Sequence, residues 1–188
     1  MTLPRQNLPG STYLVTRRVS ERRFFLRPNP EIEQTFGYLL AVAAERFDVD
    51  VQYAVVLSNH YHVLLTDRSA RISEFSQYFN RLSALAINVL RGRDEAVWSS
   101  DQPNYLRCET PDDTFRKAVY LLANPVSAGL VQTGGMWRST GWQAAASLSY
   151  ADVPALAKDA LAGEVASRAT GLRAWATSST EAGCVSGG

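Results

Sequence analysis

The chain has 188 residues, of which 46% are hydrophobic and 20% are charged, a composition typical of an ordinary globular protein. No apolar run approaches the ~20 residues that a membrane span needs, and the first residues lack the apolar segment of a signal peptide. The two cysteines, Cys108 and Cys184, match no metal-binding or disulfide spacing, so we predict a cytoplasmic protein that does not contact membranes.

Positive charge is concentrated near the start of the chain, although the formal net charge is only +1. The first 28 residues contain one acid, Glu21, and six arginines: Arg5, Arg17, Arg18, Arg22, Arg23 and Arg27. Arginine makes forked contacts with phosphate that lysine cannot make. A GC-rich genome would explain why 17 of the 19 basic residues are arginine. It would not explain why they cluster, so the cluster calls for a functional explanation.

The first predicted strand and helix lie on either side of this arginine-rich segment. Residues 11–19 are rich in β-branched and aromatic side chains, which is typical of a strand. Apolar residues then recur at helical spacing over residues 30–47. Asn29 is a suitable N-cap and Pro30 suits the first helical position, so we expect the helix to begin there.

A β-hairpin is predicted immediately after the helix. Polar and apolar side chains alternate along residues 51–57. Four of these residues are expected to share one face of the strand: Val51, Tyr53, Val55 and Leu57. A tight turn over residues 58–59 and a second strand over residues 60–66 complete the predicted hairpin.

Two more helices are predicted in the second half of the chain. One spans residues 71–91, and a short strand near Tyr105 follows it. The other is capped by Thr110 and begins at Pro111. It is expected to end near Asn124, because a following proline disfavours the helical conformation.

The chain changes in composition at about residue 149, where it becomes rich in alanine and serine. We predict a weak helix over residues 151–175 and disorder in the last ten residues. The chain is therefore divided into a domain, residues 8–148, and a tail, residues 149–188. The order of elements predicts an α+β fold, with a ferredoxin-like antiparallel sheet and helices packed on one face.

Both histidines of the chain, His60 and His62, lie one residue apart on the second strand of the hairpin. Alternate residues of a strand point to the same face, with α-carbons about 6.6–7 Å apart, so the two imidazoles can chelate one metal ion. No third histidine exists, so further ligands must be oxygen, which favours Mg²⁺ or Mn²⁺. The alternative is two half-exposed histidines that bind nothing. The intervening Tyr61, with Val63 and Leu65, is predicted to be core.

The third predicted helix carries a polar stripe. At about 100° per residue, four residues share it: Arg116, Lys117, Tyr120 and Asn124. Tyr120 and Asn124 are four residues apart and can reach one centre together. A phenol, an amide oxygen and two cations resemble a phosphate-handling surface. A solvated helix face is the simpler interpretation, and spacing alone does not decide between them.

Several segments together resemble one family. "VVLSNHYHVLL" (55–65) resembles the histidine–hydrophobic–histidine motif of the HUH single-strand transposases, and "AVYLLANPVSAGLV" (118–131) resembles their catalytic-tyrosine segment. "RLSALAINVLRGRDEAVW" (81–98) is similar to the Asn…Arg-Gly…Trp stretch of the REP-associated tyrosine transposase branch, and "LPGSTYLVTRRVSERRFFL" (8–26) fits as well. The resemblance covers roughly residues 8–145, with Ser58 at a position where the family often has proline.

The resemblance implies a site and a reaction. His60 and His62 would bind the catalytic Mg²⁺ or Mn²⁺, and Asn124 would be the third protein ligand. Tyr120 would attack a phosphodiester of single-stranded DNA, leaving a 5′-phosphotyrosine link and a free 3′-hydroxyl, and a second strand end would reverse the step. The expected substrates are DNA hairpins in the nucleoid. The residues expected to hold them are Arg17, Arg18, Arg22, Arg23, Arg116 and Lys117. Relatives act as monomers or as dimers, so both states are left open.

The sequence leaves open two alternative functions and offers two other tyrosines as the nucleophile. The protein would otherwise be a domesticated hairpin-binding protein that no longer cuts, or a metal-dependent phosphodiesterase that activates water. Tyr78 lies near the buried stripe of the second helix, and Tyr105 lies in a loop without an amide four residues later. Tyr120 is therefore the preferred nucleophile.

Overall fold

A four-stranded antiparallel sheet organises the chain. The structure is a computed structural model, which describes residues 7–132 together with residues 137, 154, 155, 157, 158 and 161. The strands are β1 (Ser11–Arg18), β2 (Val49–Leu57), β3 (His60–Asp67) and β4 (Asn104–Cys108). Within residues 7–132 the α-helices are α1 (Pro30–Phe47), α2 (Ile72–Arg91) and α3 (Pro111–Ser127). The strand order β2-β3-β1-β4, with every neighbouring pair antiparallel, confirms the predicted α+β, ferredoxin-like arrangement.

The main core lies between the sheet and the helices α1 and α2, which pack together on one face. The rings of Phe36 in α1 and Phe79 in α2 have centroids 4.9 Å apart, and both rings contact Tyr61 of β3. Val63 and Leu65 are buried on the same face, so the prediction that these β3 residues are core is confirmed. A one-residue slip of β3 would expose all three at about 1.5–3 kcal/mol each. This burial therefore determines that His60 and His62 emerge on the opposite face.

The N-caps predicted from sequence are present. The side chain of Asn29 accepts a hydrogen bond from the backbone N–H of Ile32 at 2.8 Å. The hydroxyl of Thr110 accepts one from the N–H of Asp113 at 3.1 Å. Because each cap satisfies a backbone donor that the helix leaves unpaired, α1 and α3 begin where the sequence predicts.

The predicted alternation along β2 is wrong at Val51. Val51 pairs with Leu65, whereas Tyr53 pairs with Leu64, so the register shifts between them and leaves Gln52 as an extra residue. A bulge of this kind reverses the face of every residue before it. Val51 consequently joins the α1–α2 core, while Tyr53, Val55 and Leu57 line the opposite face.

The helix α3 is longer than predicted. It lies on the other face of the sheet from α1 and α2, because Leu121 is buried with Leu14 and Leu64, so the predicted packing on one face holds for α1 and α2 but not for α3. It continues to Ser127, so the predicted end near Asn124 is wrong. Pro125 cannot donate to the carbonyl of Leu121, but the N–H of Ala128 still donates to the carbonyl of Asn124 at 2.9 Å. We attribute the continuation to burial of the Pro125 ring, which offsets the lost hydrogen bond.

A short part of the tail is described and joins the main core. Residues 155, 157, 158 and 161 are helical, and Ala157 and Leu161 are fully buried with the α1–α2 core. The rest of the predicted helix over 151–175, the predicted boundary after residue 148 and the last ten residues lie outside the described residues. In the part of the chain that the structure describes, no helix is both long and apolar enough to cross a membrane.

Candidate active site

The two histidines stand side by side on β3, on the sheet face away from α1 and α2. The ring centroids of His60 and His62 are 4.9 Å apart and the rings are perpendicular. The two-residue turn at 58–59 closes the hairpin directly before His60. The register of the neighbouring strand sets Arg18 opposite His60 and Thr16 opposite His62. The predicted shared face is therefore confirmed, and β1 supplies the polar neighbours of the pair, whereas β2 sets Leu57 and Val55 opposite the histidines.

Each imidazole uses its Nδ1 atom for a hydrogen bond within the protein. Nδ1 of His60 lies 2.6 Å from Oδ1 of Asn59, and because an amide oxygen only accepts, the histidine donates. Nδ1 of His62 lies 2.8 Å from the hydroxyl of Thr16, which can accept its proton. Both rings then keep a lone pair on Nε2, and the buried Nε2 of His62 has no hydrogen-bond partner among the described residues. A buried, unpartnered nitrogen whose ring is held through Nδ1 is what a metal-binding histidine presents.

Burial and nearby positive charge keep both imidazoles neutral. Burial lowers the pKa of His62 to about 4, and the charges of His60 and Arg18 add to the effect. Burial also lowers the pKa of His60, with a second contribution from Arg18. Metal ions bind the neutral imidazole, so the pair is in its metal-binding form at neutral pH.

The low pKa of His62 leads to a prediction about stability. An unfolded histidine has a pKa of about 6.5, so between pH 6.5 and 4 the unfolded chain takes up a proton that the native protein does not. The free energy of unfolding of the metal-free protein should therefore fall by up to about 3 kcal/mol as the pH is lowered through this range. Urea denaturation in EDTA, comparing wild type with His62→Asn, separates this histidine from the carboxylates. Equal pH dependence in the two proteins would contradict the prediction.

The helix α3 brings a tyrosine to the histidines. Leu121 is its anchor, fully buried against Leu14 and Leu64 of the sheet. The preceding residue, Tyr120, is 49% exposed. Its ring centroid lies 5.9 Å from that of His62, in an edge-to-face contact. The phenol therefore borders the histidine pair and remains open to solvent.

The two rival tyrosines lie on the opposite side of the sheet. Tyr78 is buried in the α1–α2 core, with its ring centroid 5.5 Å from that of Phe47. Tyr105 lies on β4, which confirms the short strand predicted near it and shows that its assignment to a loop was wrong, and it packs against the same core. Of the three tyrosines considered from sequence, Tyr120 is the one that the structure places beside His62.

The remaining residues of the α3 stripe differ in exposure. Asn124 lies one helical turn after Tyr120 and is partly buried. Lys117 is also partly buried, whereas Arg116 is exposed and forms an ion pair with Asp112 at 2.8 Å. The described residues contain no group of three or more His, Cys, Asp or Glu side chains that could hold a metal ion. Any third ligand supplied by the described residues would therefore be of another type, and the amide oxygen of Asn124 suits a hard cation.

The N-terminal arginines predicted to bind DNA lie in different environments. Arg18 is exposed on the face that carries the histidines. Arg17 follows the strand alternation to the other face, where its guanidinium donates to the carbonyl of Ser99 at 2.9 Å and to that of Asp101. Arg22 and Arg23 lie on the loop after β1, and both are exposed. The structure thus brings Arg18 to the site and uses Arg17 to tie β1 to residues 99–101.

Thr16 was not among the predicted site residues, and Asn59 was given no role. Asn59 directly precedes His60, so the motif itself contained the signal. Thr16 is 46 residues from His62 in the chain, and only the register between β1 and β3 brings the two together. Alternation along β1 places Thr16 on the same face as Arg18, but it does not show which residue of β3 lies opposite.

Comparison with known proteins shows the fold. No family model and no curated protein sequence matches the chain. A solved structure of a REP-associated tyrosine transposase bound to a REP hairpin is similar, with a TM-score of 0.58 and 19% identity, and the match covers 82% of this chain and 91% of that chain. A candidate transposase from Deinococcus radiodurans R1 has a TM-score of 0.44 and 16% identity, over 66% of this chain and 97% of the other. The chain therefore shares the fold of the REP-associated tyrosine transposase.

Proposed function

We propose that the protein is a metal-dependent transposase that cleaves and rejoins single-stranded DNA at hairpin sites through a 5′-phosphotyrosine intermediate. The observation that carries the proposal is the exposed phenol of Tyr120, with its ring 5.9 Å from that of His62, whose buried Nε2 lacks a partner among the described residues. The fold likeness supports the choice of substrate, because the similar transposase was bound to a REP hairpin.

The residues of the site fit a divalent cation, Mg²⁺ or Mn²⁺. His60 and His62 would hold it through their Nε2 atoms, and Asn124 would contribute its amide oxygen. The bound ion would polarise the scissile phosphate and offset its negative charge. Asn59 and Thr16 hold the two rings through Nδ1, which leaves each Nε2 available as a ligand.

The phenol of Tyr120 is the nucleophile of the proposed reaction. Its oxygen attacks phosphorus, loses its proton and forms the bond to the 5′ phosphate, while the bond to the 3′ oxygen breaks and that oxygen takes up a proton. In the second step the 3′-hydroxyl of another strand attacks the phosphotyrosine, and the phenol regains its proton. Each step exchanges one phosphoester for another, so rejoining requires no external energy source.

Three cations around the phenol would offset phosphate charge. Arg18 is exposed opposite His60, and Lys117 lies one helical turn before Tyr120. Arg116 would exchange its ion pair with Asp112 for a phosphate, which costs little because exposed ion pairs contribute at most about 1 kcal/mol. Positive groups already in place when negative charge develops lower the barrier without further reorganisation.

A denaturing gel tests the proposal. Purified protein is mixed with single-stranded hairpins from the flanks of its own gene in the presence of Mg²⁺ or Mn²⁺. We expect a metal-dependent protein–DNA band that survives denaturation, and a phosphotyrosyl peptide that mass spectrometry maps to Tyr120. Cleavage without a covalent band would instead indicate a phosphodiesterase that activates water. Binding without cleavage would indicate a hairpin-binding protein, and either result would overturn the proposal.

A further inference from the structure

The loop between β1 and α1 presents an aromatic ring to solvent among arginines. We name residues 19–27 (VSERRFFLR) the arginine–aromatic loop. Phe24 is 67% exposed, whereas Leu26, two residues later, is completely buried. A single exposed phenylalanine is not unusual on a protein surface, so its conformation, position and surroundings decide whether it has a role.

The backbone that leads to Phe24 adopts an uncommon conformation. Glu21 and Arg22 have φ angles of 53° and 57°, in the left-handed region that residues with a Cβ atom rarely adopt. Two such residues in succession turn the chain out from the end of β1. Strain of this kind persists only where the surrounding structure imposes it, and it concentrates at functional sites.

Hydrogen bonds to the backbone hold the arginine–aromatic loop beside the histidines. The N–H of Val19 donates to the carbonyl of Asn59 at 2.8 Å, and the N–H of Leu26 donates to the carbonyl of Ser58 at 3.0 Å. These two carbonyls belong to the turn that directly precedes His60. Nε of Arg91 also donates to the carbonyl of Phe25 at 3.1 Å. The loop is therefore a rigid extension of the candidate active site.

Three arginines lie within three residues of Phe24 along the chain. Arg22 and Arg27 are exposed, and neither forms an ion pair with another described residue. Arg23 is exposed and pairs with Glu21 at 2.9 Å. Phe24 is thus flanked by two exposed arginines without a described ion-pair partner, on a loop that is hydrogen-bonded to the turn before His60.

We infer that Phe24 is a stacking platform for an unpaired base of single-stranded DNA, with Arg22 and Arg27 binding the adjoining phosphates. The ligand class rests on the proposed function, and the inference deepens it by naming the contact that selects unpaired DNA. A base in single-stranded DNA offers its face to an aromatic ring, whereas bases inside a duplex are already stacked. The arginines bind phosphate in either form, so the ring accounts for the discrimination.

The test measures DNA binding without chemistry. In EDTA and at a fixed salt concentration, Kd is determined for a fluorescent single-stranded oligothymidylate and for a blunt duplex with the same number of phosphates. Phe24→Ala should weaken binding of the single strand by about 5- to 150-fold and leave duplex binding unchanged. Phe24→Trp should restore single-strand binding, because indole also stacks on bases.

Phe115 provides a matched control. It is also 67% exposed but lies on α3 and not on the arginine–aromatic loop, and Phe115→Ala should leave both dissociation constants unchanged. Wild-type affinity in Phe24→Ala, or an equal loss for single strand and duplex, would overturn the role of Phe24 alone. If the wild-type protein bound neither oligonucleotide, this inference would fail, whereas the proposed function is decided separately by the covalent band on hairpin DNA.

Discussion

Tyr120→Phe is expected to abolish the covalent protein–DNA product while hairpin binding stays within about twofold of wild type. The substitution removes one oxygen atom from a ring that is 49% exposed, so it leaves the packing of α3 through Leu121 intact. Removing the nucleophile of a covalent mechanism lowers turnover by at least about a thousandfold. A denaturing gel measures the adduct, and a native gel in EDTA measures binding.

Tyr78→Phe is the matched control for this experiment. The Tyr78 hydroxyl is buried on the other side of the sheet and has no hydrogen-bond partner among the described residues. Removing it changes the same chemical group without affecting the histidine face. The adduct should form normally in this variant. An adduct that persisted in Tyr120→Phe would assign the nucleophile to another residue, and loss in both variants would show that the effect is not specific to Tyr120.

The face of the sheet that carries the histidines could be predicted from local pattern. Tyr61, Val63 and Leu65 form an alternating apolar series, and burying it against α1 and α2 forces His60 and His62 to the opposite face. The same rule applied to β1 would have separated Arg17 from Arg18, which the structure sends to opposite faces. The prediction considered the arginines only as a cluster of positive charge, so it did not distinguish Arg17 from Arg18.

Other features depend on contacts between residues that are far apart in the chain. The polar stripe of α3 was predicted, but the contact of Tyr120 with His62 depends on the burial of Leu121 against strands far away in the chain. The bulge in β2 also escapes a period-two pattern, because Val51 looks like its apolar neighbours until an extra residue is counted in the register. Sequence periodicity predicts which side chains share one face of a strand or helix. Which strands and helices pack together is determined by contacts between residues far apart in the chain.

The burial of the histidines means that a variant at either position can lose structure as well as a metal ligand, so the measurement must separate the two. His62 is 7% exposed, so replacing it changes packing as well as chemistry. His60 is more exposed and is held by its neighbour Asn59. Metal binding measured by calorimetry on the folded, DNA-free protein therefore separates the loss of a ligand from the loss of structure, and thermal melting checks folding independently.

We expect that replacing either histidine, in His60→Ala or His62→Ala, eliminates Mn²⁺ binding in calorimetry and cleavage on the gel. Thr16→Val should instead weaken Mn²⁺ binding roughly 10- to 100-fold. Valine keeps the shape of threonine but removes the hydroxyl that lies 2.8 Å from Nδ1 of His62, so the ring loses the contact that orients it. Thr12→Val is the control, because Thr12 lies on the same face of β1 and bonds Thr66 at 2.9 Å rather than a histidine. Mn²⁺ binding that survived in both histidine variants would locate the metal elsewhere. Equal affinities for Mn²⁺ in Thr16→Val and Thr12→Val would show that Thr16 does not orient His62.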